Sequence, residues 1–237
     1  LLEARPAVAS FTFGILSAAQ VRRLQGEAGC YVIGTATTLA EAQAWAAVGA
    51  DAVVASGMEA GGHRGTFLGD FEASMVGTLA LVPQCVDTLS IPVIAAGGIM
   101  DGRGIAAAQA LGAQGVQLGT AFLACPESAI GPAQRAAMAR AQATDTRVTR
   151  IYSGRPARGI VNTLMQRLAP HEAAVPAYPV QNALTGPLRK AAASQGRADY
   201  LSLWAGQGVA AARALPAQQL VALLAQEWQA ALQRLKV

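Results

Sequence analysis

The chain has 237 residues and a formal net charge of +4, with 53% apolar and only 14% charged residues. This composition excludes intrinsic disorder, which requires low hydrophobicity and high charge. The basic residues form no run interleaved with aromatic residues, so the sequence argues against a nucleic-acid partner.

The predicted cellular location of the protein follows from features that the sequence lacks. No uninterrupted apolar run of about 18 residues is present, so we expect no membrane span. The first ten residues contain Glu3, Arg5 and Pro6 and do not resemble a signal-peptide core. Three cysteines without CxxC spacing predict neither a disulfide framework nor a metal site. We therefore expect a cytoplasmic protein.

Short apolar segments alternate with helical stretches in the first half of the chain. The predicted strands lie at about 8–13, 30–33, 51–55, 92–96 and 115–118. The predicted helices run over about 17–26 and 38–49, up to about 89, and over about 101–112. The strands are apolar throughout, which is typical of parallel strands covered by helices. Repeated βα units of about 20–25 residues predict an α/β architecture.

The pattern changes from about Pro126 onward. We predict a helix over 126–142, a mixed segment over 147–162 and a Pro-punctuated loop over about 168–187. One amphipathic helix is predicted from about 215 to 237. Its apolar stripe consists of Leu220, Leu223, Leu224, Trp228 and Leu232. These elements form a helical appendage to the βα region.

A glycine-rich loop, Gly57–Gly65, directly follows the third predicted strand. Loops that follow strand ends form the active face of a parallel βα array, and glycine lets a backbone approach a ligand closely. The loop carries Glu59 and His63, and histidine titrates near neutral pH, which suits a general base. The alternative interpretation is a flexible turn with a solvated histidine.

Two further glycine turns follow the fourth and fifth predicted strands. They contain Gly97 and Gly98, and then Gly119 and Thr120. Exposed backbone N–H groups at such turns can cradle an anion, and paired turns at neighbouring strand ends are typical of a phosphate site. Each turn alone is equally consistent with simple turn geometry, but together they favour a phosphate-bearing ligand.

Two later segments have weaker functional signals. Ser153–Asn162 contains two arginines and a serine that could bind anionic groups, or the arginines could only tie the loop down. The segments Tyr178–Asn182 and Trp204–Gly208 place aromatic residues beside Gly and Gln, which would suit a flat ring or ordinary packing. We interpret His171 as solvated surface and the cysteines as core residues.

Three ordered motifs carry a family resemblance: GADAVVASGMEAGGHRG, IPVIAAGGIMDGRGIAAAQALGAQGVQLGTAF and SGRPARGIVN. Together they resemble the nitronate monooxygenase family, formerly called 2-nitropropane dioxygenases, which is related to the flavin-dependent enoyl-ACP reductase. The resemblance covers nearly the whole chain from about Pro6. It implies a TIM (β/α)8 barrel that binds FMN non-covalently, with a helical domain capping the active face.

The resemblance also assigns roles to residues. His63 matches the family's active-site histidine, which lies near the flavin ring and serves as base or electrostatic partner for the substrate. The cofactor-binding residues implied by the resemblance are Glu59, Gly61, Gly62, Gly97, Gly98, Gly119, Thr120, Trp204, Gly206 and Gln207. No metal site is implied.

The chain departs from the family pattern at its N-terminus. Family members begin with three more βα units, about 90 residues, so only strands four to eight of the barrel are expected here. The predicted segments are a barrel portion that binds FMN over 1–125, a capping segment over 126–210, and a C-terminal helix packing on the barrel over 211–237.

The resemblance implies FMN-dependent oxidation of alkyl nitronates by O₂ to a carbonyl compound and nitrite. The expected partners are a small nitronate-like substrate and O₂, with a homodimer as one assembly left open. A second interpretation keeps FMN but changes the reaction to NAD(P)H-dependent enoyl reduction. A third is a truncated, cofactor-free scaffold without activity.

Overall fold

The computed structural model describes residues 1–235, which divide into two compact units. The first unit comprises Leu1–Met58, Gly65–Ile99 and Arg103–Gln117. The second comprises Glu59–Arg64, Met100–Gly102 and the chain from Leu118 onward. Among residues 1–235, no helix combines the length and the apolar character that crossing a membrane requires.

The first unit contains a five-stranded, fully parallel sheet. Its strands are β1 (Val8–Phe11), β2 (Tyr31–Ala36), β3 (Ala52–Ser56), β5 (Val93–Ala96) and β6 (Gly115–Gln117), in that spatial order. The intervening β4 (Gly62–His63) belongs to the second unit. Each strand pairs with the next one along the chain apart from that insertion. All five predicted strands and their parallel arrangement are therefore confirmed.

Four helices follow strands of this sheet. They are α1 (Ala18–Ala28), α2 (Leu39–Ala47), α3 (Thr78–Thr88) and α4 (Gly102–Ala110). The hydroxyls of Ser17 and Thr38 accept hydrogen bonds from main-chain N–H groups in the first turns of α1 and α2, so both residues are N-caps at the predicted helix starts. Trp45 of α2 is fully buried, and a cluster formed by Val21, Leu24 and Val32 fixes α1 against β1 and β2.

The second unit contains a small antiparallel sheet in the order β4–β8–β7. The strands β7 (Thr146–Thr149) and β8 (Ala157–Ile160) form a hairpin, and β4 pairs with β8. The helices of this unit are α5 (Thr120–Leu123), α6 (Pro132–Met138), α7 (Thr163–Leu168), α8 (Val180–Ser194) and α9 (Ala217–Leu235). Short 3₁₀ segments occupy Glu72–Ser74 in the first unit and Ala143–Asp145, Ala169–Ala174, Ala198–Tyr200 and Gln207–Ala211 in the second.

Two sequence predictions for this unit were wrong. The expected loop over 168–187 contains a 3₁₀ segment and the first half of α8. Pro187 lies inside α8, and the helix persists because Gln181, Thr185 and Ala192 are buried along one face. The helix expected over 126–142 is also shorter, since α6 begins only at Pro132.

The predicted C-terminal helix is confirmed as α9, although residues 236 and 237 lie outside the described residues. Leu220 and Leu224 are buried, while Leu223, Trp228 and Leu232 are half-buried. Within the second unit, the Gly102 N–H donates to Glu227 Oε2 at 3.2 Å. A β-carbon at Gly102 would lie 2.1 Å from the main-chain nitrogen of Trp228, so this approach requires glycine.

Candidate functional site

The candidate site is built around the short strand β4. Gly62 pairs with Arg158 and His63 with Ala157, and the Arg64 N–H donates to the Pro156 carbonyl at 2.8 Å. Gly62 has φ +75°, a conformation that favours glycine. This pairing brings the glycine-rich loop next to the segment that precedes β8. Two motifs that lie about 90 residues apart in the sequence therefore share one site.

The His63 ring contacts a serine and two aromatic side chains. Its Nε2 lies 2.7 Å from Ser153 Oγ, a hydrogen bond whose donor depends on the tautomer. The ring centroid lies 5.3 Å from Trp204 in a tilted arrangement and 6.2 Å from Tyr178 in an edge-to-face arrangement. These three contacts orient the imidazole and make it a half-buried side chain.

The electrostatic environment keeps His63 in its neutral form. Burial lowers the pKa of His63, and the positive charges of Arg155 and Arg189 lower the pKa further. At neutral pH the ring is therefore unprotonated. A neutral imidazole is the form that can accept a proton.

Ser153 is itself rigidly held. It is 1% exposed, and its hydroxyl donates to the Arg155 carbonyl at 3.2 Å and accepts from the Arg155 N–H at 3.3 Å. The Arg155 side chain donates from Nε to the Arg64 carbonyl at 3.1 Å. These bonds close a compact turn whose serine points at the histidine ring.

Trp204 also contacts a buried tyrosine. The rings of Tyr152 and Trp204 meet edge to face at 5.3 Å. Tyr152 donates to Asn162 Oδ1 at 2.6 Å, and Asn162 Nδ2 donates to the carbonyls of Ala198 at 2.9 Å and Leu201 at 2.8 Å. This network holds the segment that leads into Trp204.

The backbone around Gly61 packs tightly against the backbone around Gly206. A β-carbon on Gly61 would lie 2.4 Å from the Gly206 nitrogen. The Gln207 N–H donates to the Glu59 carbonyl at 2.9 Å, and the Gly206 N–H donates to Thr120 Oγ1 at 2.9 Å. Within the second unit, the structure thus brings together residues that the sequence placed in three separate motifs.

An arginine on β8 carries positive charge into the same neighbourhood. Arg158 is 5% exposed and its Nη1 donates to Thr146 Oγ1 at 3.3 Å. Burial lowers the pKa of Arg158, whereas the Glu59 carboxylate raises it. Glu59 therefore acts as an electrostatic partner of this guanidinium.

The two predicted phosphate turns fall in different units. Gly97 and Gly98 follow β5 in the first unit, with φ of +109° and +73°. Thr78 Oγ1 donates to the Gly97 carbonyl at 3.0 Å and supports this turn. Gly119 precedes α5 in the second unit, where it is exposed and a β-carbon would meet no atom within 4 Å.

The described part of the chain contains no candidate metal site. No group of three or more His, Cys, Asp and Glu side chains within residues 1–235 could hold a metal ion. The three cysteines are buried and form no disulfide with one another, which confirms their interpretation as core residues. His171 is exposed, as predicted.

These features define an α/β protein with a parallel sheet and a candidate site centred on a neutral histidine. The chain matches the nitronate monooxygenase family model over residues 1–227, and it belongs to this family. Among curated relatives, it is 50% identical over 215 residues to a probable nitronate monooxygenase of Staphylococcus aureus, covering 90% of this chain and 60% of the relative. It is 47% identical over 229 residues to one of Staphylococcus haemolyticus, covering 96% and 64%. The chain thus spans less than two thirds of these relatives' length.

Solved structures agree with this assignment. The chain resembles nitroalkane oxidase from Streptomyces ansochromogenes with a TM-score of 0.94 and 46% identity, covering 99% of this chain and 67% of that one. It resembles FabK from Thermotoga maritima with a TM-score of 0.82 and 32% identity, covering 99% and 72%. The predicted family and its relation to the enoyl-ACP reductase are thereby confirmed.

The sequence reasoning missed several residues of the site. Tyr152, Arg189 and the contacts of α8 were not identified, and Ser153 was considered only as an anion ligand. The one available signal was the polar and aromatic content of 147–162. The pairing of β4 with β8 joins residues far apart in sequence, and short-range periodicity does not predict such pairing.

Proposed function

We propose that the whole protein oxidises alkyl nitronates with FMN and O₂, giving a carbonyl compound and nitrite. The observation that carries this proposal is the neutral His63 held between Ser153 and Trp204, in a chain of the nitronate monooxygenase family. We further propose that the parallel sheet is a portion of a TIM barrel and that the chain has the three segments predicted above. We also propose that the protein is cytoplasmic.

The glycine turns fit a flavin nucleotide in their local geometry. Gly97 and Gly98 adopt positive φ and present backbone without side chains, while the space beside Gly119 is open. Main-chain N–H groups in such turns would bind the phosphate, together with the Thr120 hydroxyl. When bound, FMN would supply the electron-transfer chemistry of the oxidation, with O₂ as the terminal oxidant.

His63 would handle the proton. A neutral nitroalkane bears an acidic C–H, and the unprotonated imidazole can take that proton to give the nitronate anion. Arg155 and Arg189 would stabilise the negative charge that develops, because both lie close enough to perturb the pKa of His63. Ser153 would keep the ring aligned with the substrate.

The loop around Trp204 would exclude water. This loop packs against the glycine-rich loop that carries His63. The Trp204 ring contacts the His63 ring, and the backbone at Gly206 and Gln207 lies close to that at Gly61 and Glu59. The indole would cover the reacting atoms, and Glu59 would hold its guanidinium partner Arg158 in place. A closed, apolar wall strengthens the electrostatic contacts within it.

The test compares two substrates with and without His63. Purified protein is scanned for flavin absorbance, and nitrite release and O₂ uptake are followed with a neutral nitroalkane and with its preformed nitronate. A base is needed only for the neutral substrate, so His63→Asn should slow that reaction by about 10²–10⁴-fold and the nitronate reaction much less. His171→Asn, which changes an exposed histidine, is the matched control. Equal rates for His63→Asn and parent with the nitroalkane would refute this role.

The similarity to FabK supports enoyl reduction as a second candidate. In that case NADH or NADPH would bleach the flavin without any nitronate, and an enoyl thioester would restore its colour. The third interpretation, a cofactor-free scaffold, predicts a colourless protein. The absorbance scan separates this interpretation from the other two, and bleaching by NADH or NADPH separates those two from each other.

A further inference from the structure

The turn that carries Ser153 is anchored by side chains of helix α8. Gln181 Nε2 donates to the Ile151 carbonyl at 2.6 Å, and Thr185 Oγ1 donates to the Tyr152 carbonyl at 2.5 Å. Gln181 and Thr185 are each 7% exposed and lie one helical turn apart, so they project from one face of the helix. They bind the two consecutive carbonyls that directly precede Ser153.

The same turn is held at two further points. Glu172 Oε1 accepts from Thr149 Oγ1 at 2.7 Å and from the Arg150 N–H at 2.5 Å. A β-carbon at Gly154 would lie 2.2 Å from the Pro176 carbonyl oxygen, so the backbone there is in direct contact with the segment that leads into α8. The turn therefore has little freedom to move while α8 is in place.

We infer that Thr185 and Gln181 are positioning residues, which hold the 151–154 turn so that Ser153 keeps the His63 ring in its orientation. Their effect passes through main-chain carbonyls to Ser153, whose Oγ lies 2.7 Å from His63 Nε2. That this matters for catalysis rests on the proposed function, whereas the positioning itself does not.

Other groups also face the His63 ring. Arg155 comes from the turn itself and Arg189 from α8, while the rings of Tyr178 and Trp204 pack beside it. Arg189 Nε also donates to Thr185 Oγ1 at 3.2 Å. Removing the Thr185 hydroxyl therefore disturbs both the turn and a charge near the ring, whereas within residues 1–235 Gln181 makes no hydrogen bond to Arg189.

The test uses histidine NMR, because the chain has only two histidines. Spectra and pH titrations are recorded for the parent, Thr185→Val and Gln181→Met, with exposed His171 as the internal reference. Both variants should shift the His63 ring resonances and move its titration midpoint upward toward that of a solvated histidine. Thr185→Ser should restore the parent spectrum, and Leu184→Ala, on the exposed face of α8, should match the parent. In the active whole protein, kcat should fall about tenfold for both variants with little change in KM.

Each outcome decides the inference. An unchanged His63 spectrum in Gln181→Met, or a shift in Thr185→Val alone, would overturn it and assign the effect to Arg189. Loss of the native circular dichroism in both variants would also overturn it, because the contacts would then support the whole fold. If the parent oxidises no nitronate but the NMR shifts appear, the proposed function fails while the positioning role stands.

Discussion

Glu41 is a fully buried carboxylate whose replacement by glutamine should destabilise the first unit. Its Oε2 accepts from the Thr37 N–H at 2.6 Å and from Thr37 Oγ1 at 2.7 Å. Its Oε1 accepts from the N–H groups of Phe67 at 2.5 Å and Leu68 at 3.0 Å. In all four bonds the carboxylate is the acceptor. Two of them anchor the chain shortly after the glycine-rich loop, Gly57–Gly65.

The size of the effect follows from this count. Glutamine offers one oxygen and one NH₂ group. With the oxygen toward Phe67 and Leu68, the NH₂ group would face Thr37, whose hydroxyl can turn to accept while its N–H is left without an acceptor. A hydrogen bond to a charged group is worth about 1.5–3 kcal/mol, so losing this one should lower the free energy of unfolding by about 1.5–3 kcal/mol.

Urea unfolding, followed by circular dichroism, measures this change. Glu41→Gln should lower the midpoint without altering the slope, because the exposed surface on unfolding is the same. Glu27→Gln is the matched control, since Glu27 is an exposed carboxylate paired with Arg23 on α1 and its loss should leave the midpoint near that of the parent. A Glu41→Gln midpoint as close to the parent as that of the control would refute the argument.

Two other predictions concern the candidate site. The pKa of His63 is lower in the folded chain than in the unfolded one, so the unfolded chain binds the proton first as the pH falls. Parent stability relative to His63→Gln should thus be greatest above about pH 6.5 and decline below it in denaturant titrations; a pH-independent difference would contradict the lowered pKa. Gly119→Ala should keep or slightly raise the melting temperature, because a methyl there has open space in the protein. It should weaken FMN binding measured by fluorescence, because the methyl would occupy the place proposed for the cofactor. Gly61→Ala should instead lower the melting temperature, since its methyl would lie 2.4 Å from Gly206; equal behaviour of the two variants would contradict the distinction.

Much of the first unit follows from local patterns in the sequence. Apolar strands such as Val93–Ala96 are recognisable because they are buried from both sides, and the caps Ser17 and Thr38 mark helix starts by chemistry confined to four residues. These signals do not depend on any distant part of the chain. The strands and their parallel direction were therefore predictable.

The second unit was less predictable because its organisation depends on distant contacts. Pro187 is a local signal against helix, yet α8 is stabilised by Gln181 and Thr185 binding carbonyls some 30 residues away. His63 was identified as a candidate base from the glycines around it. Its partner Ser153 lies 90 residues further on and reaches it through the pairing of β4 with β8. No periodicity within either segment encodes that meeting.

The glycines of the site show how a correct residue assignment can rest on more than one cause. A glycine next to a candidate base suggests close approach by a ligand, but at Gly61 the close approach is by the protein's own backbone. Gly97 and Gly98 have positive φ, so the turn itself accounts for them. Gly119 has φ of −106° and no neighbour near its missing β-carbon, so neither packing nor backbone strain explains it. Gly26, Gly131 and Gly186 share both properties, so the open space at Gly119 leaves room for a ligand without requiring one.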